Sequence, residues 1–323
     1  MEFQFLIGNL TNPTLLFFLL GIVATWIKSD LEIPSTSSKF ISLYLLFAIG
    51  FKGGQELSHS GLNTEIIYSL LFGLFLACAI PLYTFFILKR RLSLSDAGAI
   101  AASYGSVSAV TFVAAISFLE MQKVASGGHM VAVMALMESP AIIVGVILMM
   151  RFDRENYDHA KAGLKSAIHH SFTNGSVLMI IGSLLIGLIS DARQAEGIKP
   201  FTTDIFKGFL AIFLLEMGIV TGKRFSVFQK YGWFVGLFAI LIPAINGSVV
   251  ACISQLVTHD TGNRFIFAIL AASASYIAVP AAMRLAAPKA DPGLYLPMAL
   301  GVTFPFNITL GMPLYYLIVT RGG

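Results

Sequence analysis

"AASYGSVSAVTF" (residues 101–112) interrupts a long apolar tract with Ser103, Gly105, Ser106, Ser108 and Thr111. In hydrocarbon every unpaired backbone N–H or C=O is costly, so irregular backbone survives there only against protein or a watery cavity. Glycine and small hydroxyl residues inside an apolar run therefore mark either a break in a membrane helix or a seam of close helix packing.

The surroundings make this a membrane question. The chain has 323 residues, 56% of them hydrophobic and 12% charged, with a mean hydropathy of +0.81. Soluble domains carry about 25% charged residues. Runs such as 66–88, 131–150 and 232–257 supply the roughly 20 apolar residues that a helix needs to cross a bilayer. The first apolar segment, 14–27, has no Lys or Arg before it and so lacks the basic region of a cleavable signal; it is expected to remain as a span. Cys78 and Cys252 each sit inside an apolar run, where they read as packing residues rather than a disulfide or metal framework.

Hydropathy places ten spans, centred at about residues 21, 46, 77, 108, 140, 182, 212, 245, 275 and 308. The one long charged stretch, "RFDRENYDHAKAGLKSAIHH" (151–170), divides a first five-helix repeat (1–150) from a second (173–323), with a linker at 151–172. The loops after spans one, three, five, seven and nine hold Lys28, Lys39, Lys89, Arg90, Arg91, Arg151, Arg154, Lys161, Lys165, Lys223, Arg224, Lys230 and Lys289. The opposite loops and tail hold only Lys52, Lys123, Arg193, Lys199, Arg264 and Arg321. That excess puts the linker in the cytoplasm and both termini outside.

The halves resemble each other. "AIAASYGSVSAVTFVAA" (99–115) matches "AILAASASYIAVPAAMRLAA" (268–287) when the two AAS triplets are superposed. Pro81 matches Pro243, "FAIGFKGG" (47–54) matches "LEMGIVTGK" (215–223), and "MALMESPA" (134–141) matches "MALGVTFPF" (298–306). An odd number of spans per half makes the second copy an inverted repeat, the plan of many secondary transporters. Helix ends exposed at breaks in spans four and nine would offer N–H groups to an anion, and carbonyl and hydroxyl oxygens to a cation.

"ASYGSVSAVTFVAAISFLEMQK" (102–123), "LMESPAIIVGVIL" (136–148) and "AASASYIAVPAAMRLAAPKADPGLYLPMALG" (271–301) together resemble the cyanobacterial sodium-dependent bicarbonate transporter family, the SbtA-like permeases. "LEIP" after span one, "IGFKGG" in span two and the final "RGG" extend the likeness along nearly the whole chain. The resemblance implies an all-α integral membrane fold of ten spans in two inverted repeats, with crossed broken helices, gate and core domains and an elevator movement. It further implies Na+-coupled bicarbonate uptake across a bacterial inner membrane, a homotrimer, and a PII-type regulatory protein docking on the cytoplasmic face.

Carried over residue by residue, the resemblance assigns substrate contacts to Ser103, Gly105, Ser106, Val107, Ser108, Thr111, Ser273, Ser275 and Tyr276. It assigns cation contacts to Ser108, Glu138, Ser275, Tyr276 and Asn307. The second break departs from the family pattern. Tyr276 stands where an acid is expected, and a Gly-Pro-Pro step reads Val279, Pro280, Ala281. One carboxylate fewer leaves room for H+ in place of Na+, for another small anion or carboxylate as cargo, or for a passive anion channel.

Other polar groups at membrane depth carry two readings each. Glu138 is a functional carboxylate or a partner for backbone freed by Pro140. Glu216 is an ion site or the partner of Lys52 or Lys207. Asn307 and Asn246, beside Pro305 and Pro243, satisfy opened backbone or touch substrate. Arg284 attracts anions or snorkels to the interface, and His169 and His170 read as a solvated pair. No G-x-x-x-x-G-K-[ST], H-E-x-x-H or G-x-S-x-G is present, so ATP-driven pumping and the common hydrolases lack their parts, and no enzyme or nucleic-acid activity is expected.

Overall fold

Two pairs of glycine-lined helices and two broken helices organise the molecule. The computed structural model describes residues 13–60, 63–152, 169, 173, 175–224 and 232–321, and the regular structure among them is helical throughout. Most of the 151–172 linker, with Arg154, Lys161, Lys165 and His170, lies outside the described residues, as do Lys230 and the side chains of Arg224 and Arg284. In chain order the helices are α1 (Pro13–Trp26), α2 (Ser35–Ser60), α3 (Thr64–Leu88), α4 (Leu94–Gly105), α5 (Ala109–Met121) and α6 (His129–Phe152). Then come α7 (Gly175–Ile189), α8 (Phe206–Arg224), α9 (Trp233–Ile253), α10 (Thr261–Ala272), α11 (Ala278–Ala286) and a final helical run α12 (Pro292–Arg321).

Six of these elements are long and apolar enough to cross a membrane: 64–88, 94–121, 129–152, 200–223, 233–256 and 292–321. Three apolar helices of 10–17 residues join them, at 15–26, 175–189 and 261–272. Helix α2 is long but carries Lys39, Lys52, Glu56 and several serines, which lowers its apolar character. The broken element 94–121 is 89% buried, against 39–67% for the other five. The element that contains the serine-rich break is therefore the most buried of the six.

Glycine sets the close packing of α1 with α8 and of α2 with α7. Gly21 lies against Leu215, Gly218 and Ile219, and Gly222 against Thr25; a Cβ at Gly218 would overlap the Phe18 carbonyl. Gly50 meets Ile180 and Ser183, and Gly54 meets Leu184, Gly187 and Leu188. Residue numbers rise together in both pairs, so each pair runs parallel. Gln55 Nε2 donates to the carbonyls of Gly187 and Ser190, tying the end of α2 to the end of α7.

The remaining helices pack with matching partners in the two halves. Helix α3 packs on α4 and α6 as α9 packs on α10 and α12, while α4 packs on α6 as α10 does on α12. Across the middle, α5 lies on α10 and α11 on α4. Pro81, Pro140 and Pro243 sit inside α3, α6 and α9, and in α12 two π-helical stretches, Pro297–Thr303 and Asn307–Gly311, flank Phe304–Phe306. Proline removes an N–H and crowds the preceding turn, so the helix widens around it.

Two sequence expectations are corrected here. Arg264 is not in a loop: it lies in the first turn of α10, buried, donating to the carbonyls of Ala251 (3.1 Å) and Val319 (3.3 Å), where a cation suits the ends of α9 and α12. Cys252 is exposed on α9 rather than packed.

Candidate functional site

Helices α4 and α10 are built alike. Each has 12 residues and each is N-capped, by Ser93 accepting from Asp96 N (3.1 Å) and by Asp260 accepting from Asn263 N (2.7 Å). Each ends at an extended serine, Ser106 (φ −82°, ψ 172°) and Ser273 (φ −82°, ψ 165°). The third residue of each helix accepts a backbone N–H from the loop beyond the other half's break: Asp96 from Asp291 N (2.8 Å) and Asn263 from Gly127 N (2.7 Å). These caps set "SVS" (106–108) opposite "SAS" (273–275), three residues from the register in which AAS lies on AAS. Sequence identity favoured the triplet, whereas helix length and capping decide the structural match.

At the crossing the breaks satisfy one another. Ser275 N donates to Ser103 O (2.8 Å), Ser103 Oγ donates to Ser275 O (2.6 Å), and Ser108 N donates to Ser273 Oγ (3.1 Å). Ser108 also caps α5, accepting from Thr111 N at 3.2 Å. Ser106 Oγ donates to the Glu138 carbonyl on α6 (3.2 Å). Leaving one such buried group unpaired costs about 1–3 kcal/mol. The hydroxyls thus do structural work first: they hold an open backbone open.

The carbonyl end of α10 has its own partners. Asn307 Nδ2 donates to Ala272 O (2.8 Å) and Asn246 Nδ2 to Ala271 O (3.2 Å). Tyr315 OH, which also donates to Pro243 O (2.9 Å), lies 3.3 Å from Asn307 Oδ1, and Tyr83 OH donates to Asn246. Asn307, expected among the cation contacts, is therefore engaged at both ends of its amide, with backbone through Nδ2 and with the Tyr315 hydroxyl through Oδ1. Tyr104 OH pairs with Thr303 Oγ1 (2.7 Å), which donates to Ala239 O (2.7 Å). These tyrosines, of which Tyr104 and Tyr315 are buried, were not singled out in the sequence. Their signal was available, because a phenol inside an apolar run requires a polar partner.

The structure brings Ser103, Ser106, Val107, Ser108 and Thr111 together with Ser273 and Ser275, all buried. Gly105 sits where an added Cβ would overlap the Pro81 ring, which is the close-packing reading of a small residue. Glu138 adjoins the first break through its backbone, and its side chain is 9% exposed. Tyr276 is half-buried and, with Ile277, forms part of the wall of a cavity of about 1060 Å³ whose other walls include Ser38, Lys39, Met179, Ser183, Phe213 and Met217. Helix α11 begins beside it with no side-chain cap. A second cavity, about 260 Å³, lies at the other end of α2, bounded by Lys52, Glu56, Glu120, Lys123 and Val131 among others. There Glu120 on α5 binds Lys52 of α2 (2.9 Å) and lies 3.5 Å from Lys207 of α8. Those lysines are therefore not partners of Glu216.

Among known proteins, the family model described as the Na+-dependent bicarbonate transporter superfamily matches residues 13–320. No curated protein matches the chain.

If Asn307 holds the end of α10, Asn307→Leu, which keeps the volume but leaves Ala272 O unpaired, should destabilise the protein by about 1–3 kcal/mol. Thermal melting in detergent should show a lower transition temperature than for Thr320→Val, whose exposed hydroxyl serves only its own helix. Equal melting of the two variants would remove that role.

Proposed function

We propose, from the premise that the chain belongs to the Na+-dependent bicarbonate transporter superfamily, that this multi-pass membrane protein takes up bicarbonate with Na+ by alternating access at the α4–α5/α10–α11 crossing. The observation that carries the reading is the crossing itself, where four helix ends meet among buried serines and one break faces a large cavity. The first N–H groups of α5 and α11 suit an oxyanion. Serine hydroxyls and break carbonyls suit a hard monovalent cation, for which Na+ is the family's ion.

The matching packing partners of the two halves support ten spans in an inverted repeat. On this reading α1, α2, α7, α8, α9, the broken pairs and the rest all cross, and the domains divide at the linker. Helices α1, α2, α7 and α8 form a gate, and the other spans form a core that moves past it as an elevator. Closure by Lys52, Lys207 and Glu120 at one end of α2 and an open cavity at the other support an inward-facing conformation. The termini would lie in the periplasm of a bacterial inner membrane, and the assembly would be a homotrimer. In that orientation Arg90 and Arg91 stand exposed on the cytoplasmic face as a docking surface for a PII-type protein. Lys89 is engaged instead over the rings of Phe86 (4.3 Å) and Phe152 (4.0 Å).

Radiolabelled bicarbonate uptake in a carbonic-anhydrase-deficient bacterium tests the transport reading. Saturable uptake should require a Na+ gradient and be abolished in Ser106→Ala/Ser108→Ala with membrane expression intact. Uptake driven by H+ would replace Na+ as the coupling ion, and a gradient-independent current would make the protein a channel.

The elevator reading predicts that Glu120→Gln loosens the closed end. The ion pairs are partly exposed, worth no more than about 1 kcal/mol each. Labelling of Ser126→Cys by an impermeant maleimide, with Cys78 and Cys252 replaced by serine, should therefore quicken about two- to fivefold. An unchanged rate counts against the latch.

For the docking surface, Arg90→Ala/Arg91→Ala should reduce co-purification of a PII-type protein, and wild-type recovery should fall as salt rises. Equal recovery in all conditions would exclude electrostatic docking there.

A further inference from the structure

Resting on the transport reading above, we infer that Glu216 supplies the carboxylate of a Na+ site shared with Ser38, Ser108 and Tyr276, assembled only while the large cavity is open. Glu216 projects from the middle of α8, half-buried, with Oε2 enclosed and without a hydrogen-bond partner. The lysines that would neutralise it are engaged elsewhere, Lys52 and Lys207 both with Glu120. Lys39, exposed on the wall of the large cavity next to Ser38, forms no ion pair with it among the described residues. A carboxylate at membrane depth with an unpartnered oxygen is costly unless a cation or a proton joins it, which makes such a group a binding-site candidate.

Its neighbours supply the rest of a coordination shell. The Ser38 hydroxyl lies beside the carboxylate. Tyr276 and Ser38 both line the large cavity, as does Met217, the residue after Glu216, and the Tyr276 phenol lies beside Ser108. Met217, the next residue on α8, approaches that phenol through Sδ at 3.9 Å, which confirms that α8 and the second break face each other here. One carboxylate and three hydroxyl oxygens, with no imidazole or thiolate, is a hard-cation donor set. Tyr276 carries no charge of its own, so the acid on the opposing helix is the one negative group the second break meets from α8.

The donors come from two bodies. Glu216 and Ser38 belong to α8 and α2, whereas Ser108 and Tyr276 belong to the breaks. Movement of the breaks past α2 and α8 would separate the hydroxyls from the carboxylate and halve the shell. A cation held here must leave before that movement, so the site sets Na+ affinity on the side the cavity faces and blocks return while occupied. A ligand can bias two states only through such a difference in affinity.

The test is thermal melting of the purified protein in NaCl against choline chloride at constant ionic strength, without bicarbonate. Wild type should gain stability saturably with Na+. Glu216→Gln should raise the half-saturating concentration about tenfold or more, and Glu216→Gln/Tyr276→Asp, which returns a carboxylate from the opposite wall, should recover most of that loss. Glu120→Gln should bind Na+ as wild type does. A wild-type half-saturation in Glu216→Gln overturns the site and leaves Na+ transport standing. Identical melting of wild type in Na+ and choline overturns both, and stabilisation by acid alone assigns the carboxylate to a proton and overturns the Na+ site. Should Glu216→Gln fail to fold, Ser38→Ala and Tyr276→Phe are read in its place; unchanged Na+ responses in both overturn it.

Discussion

Backbone polar groups inside hydrocarbon must be paired, and the crossing of the two breaks is how this molecule meets that constraint. Stopping a helix at mid-membrane frees carbonyls at one end and N–H groups at the other. Here the two breaks and the helix ends beside them pair with each other, Ser103 with Ser275 and Ser108 with Ser273. Neither break is satisfied alone. The two halves are thus bound together at the point where an opening toward solvent is also needed, and the surrounding helices serve to keep lipid away from it.

The support around the crossing is unequal in a useful way. Around α10, asparagines from α9 and α12 take up the carbonyls, with tyrosines holding the asparagines in turn. Around α4, the first break leans on the Glu138 carbonyl and on the flat contact between Gly105 and Pro81. The first break is closed in by protein, whereas the second presents Tyr276 and an uncapped helix start to a cavity. Local symmetry in construction therefore coexists with asymmetry in access.

Glycine contacts give the α1–α8 and α2–α7 pairs a smooth face of near-backbone contact. Packed interiors resist continuous deformation, so relative movement is most economical where two such bodies meet across few specific bonds. The bonds between them include ion pairs at one end of α2, the Thr221 hydroxyl donating to Leu300 O and the Tyr276 contact with Met217, with a cavity at the other end of α2. Charge pairs that are partly solvated hold weakly and exchange readily.

Much of this was legible in residue order alone. Helical class, membrane setting, the paired breaks and their serines all follow from hydropathy and from small polar residues recurring in both halves, because these are local demands of lipid on backbone. Family membership followed from the same motifs. Long-range partnership was not legible. Matching triplets pointed to one register, while equal helix lengths and caps chose another three residues away. Asn307 read as open to cation or backbone, and only the approach of α12 to α10 committed it to Ala272. Arg264 counted as a loop charge until α9 and α12 were seen to end against it. Lys52 and Lys207 were candidates for Glu216, and the fold gave them to Glu120 instead. A sequence states which groups need partners; which partner each one gets depends on helices brought together from separate parts of the chain, and only the tertiary structure decides that.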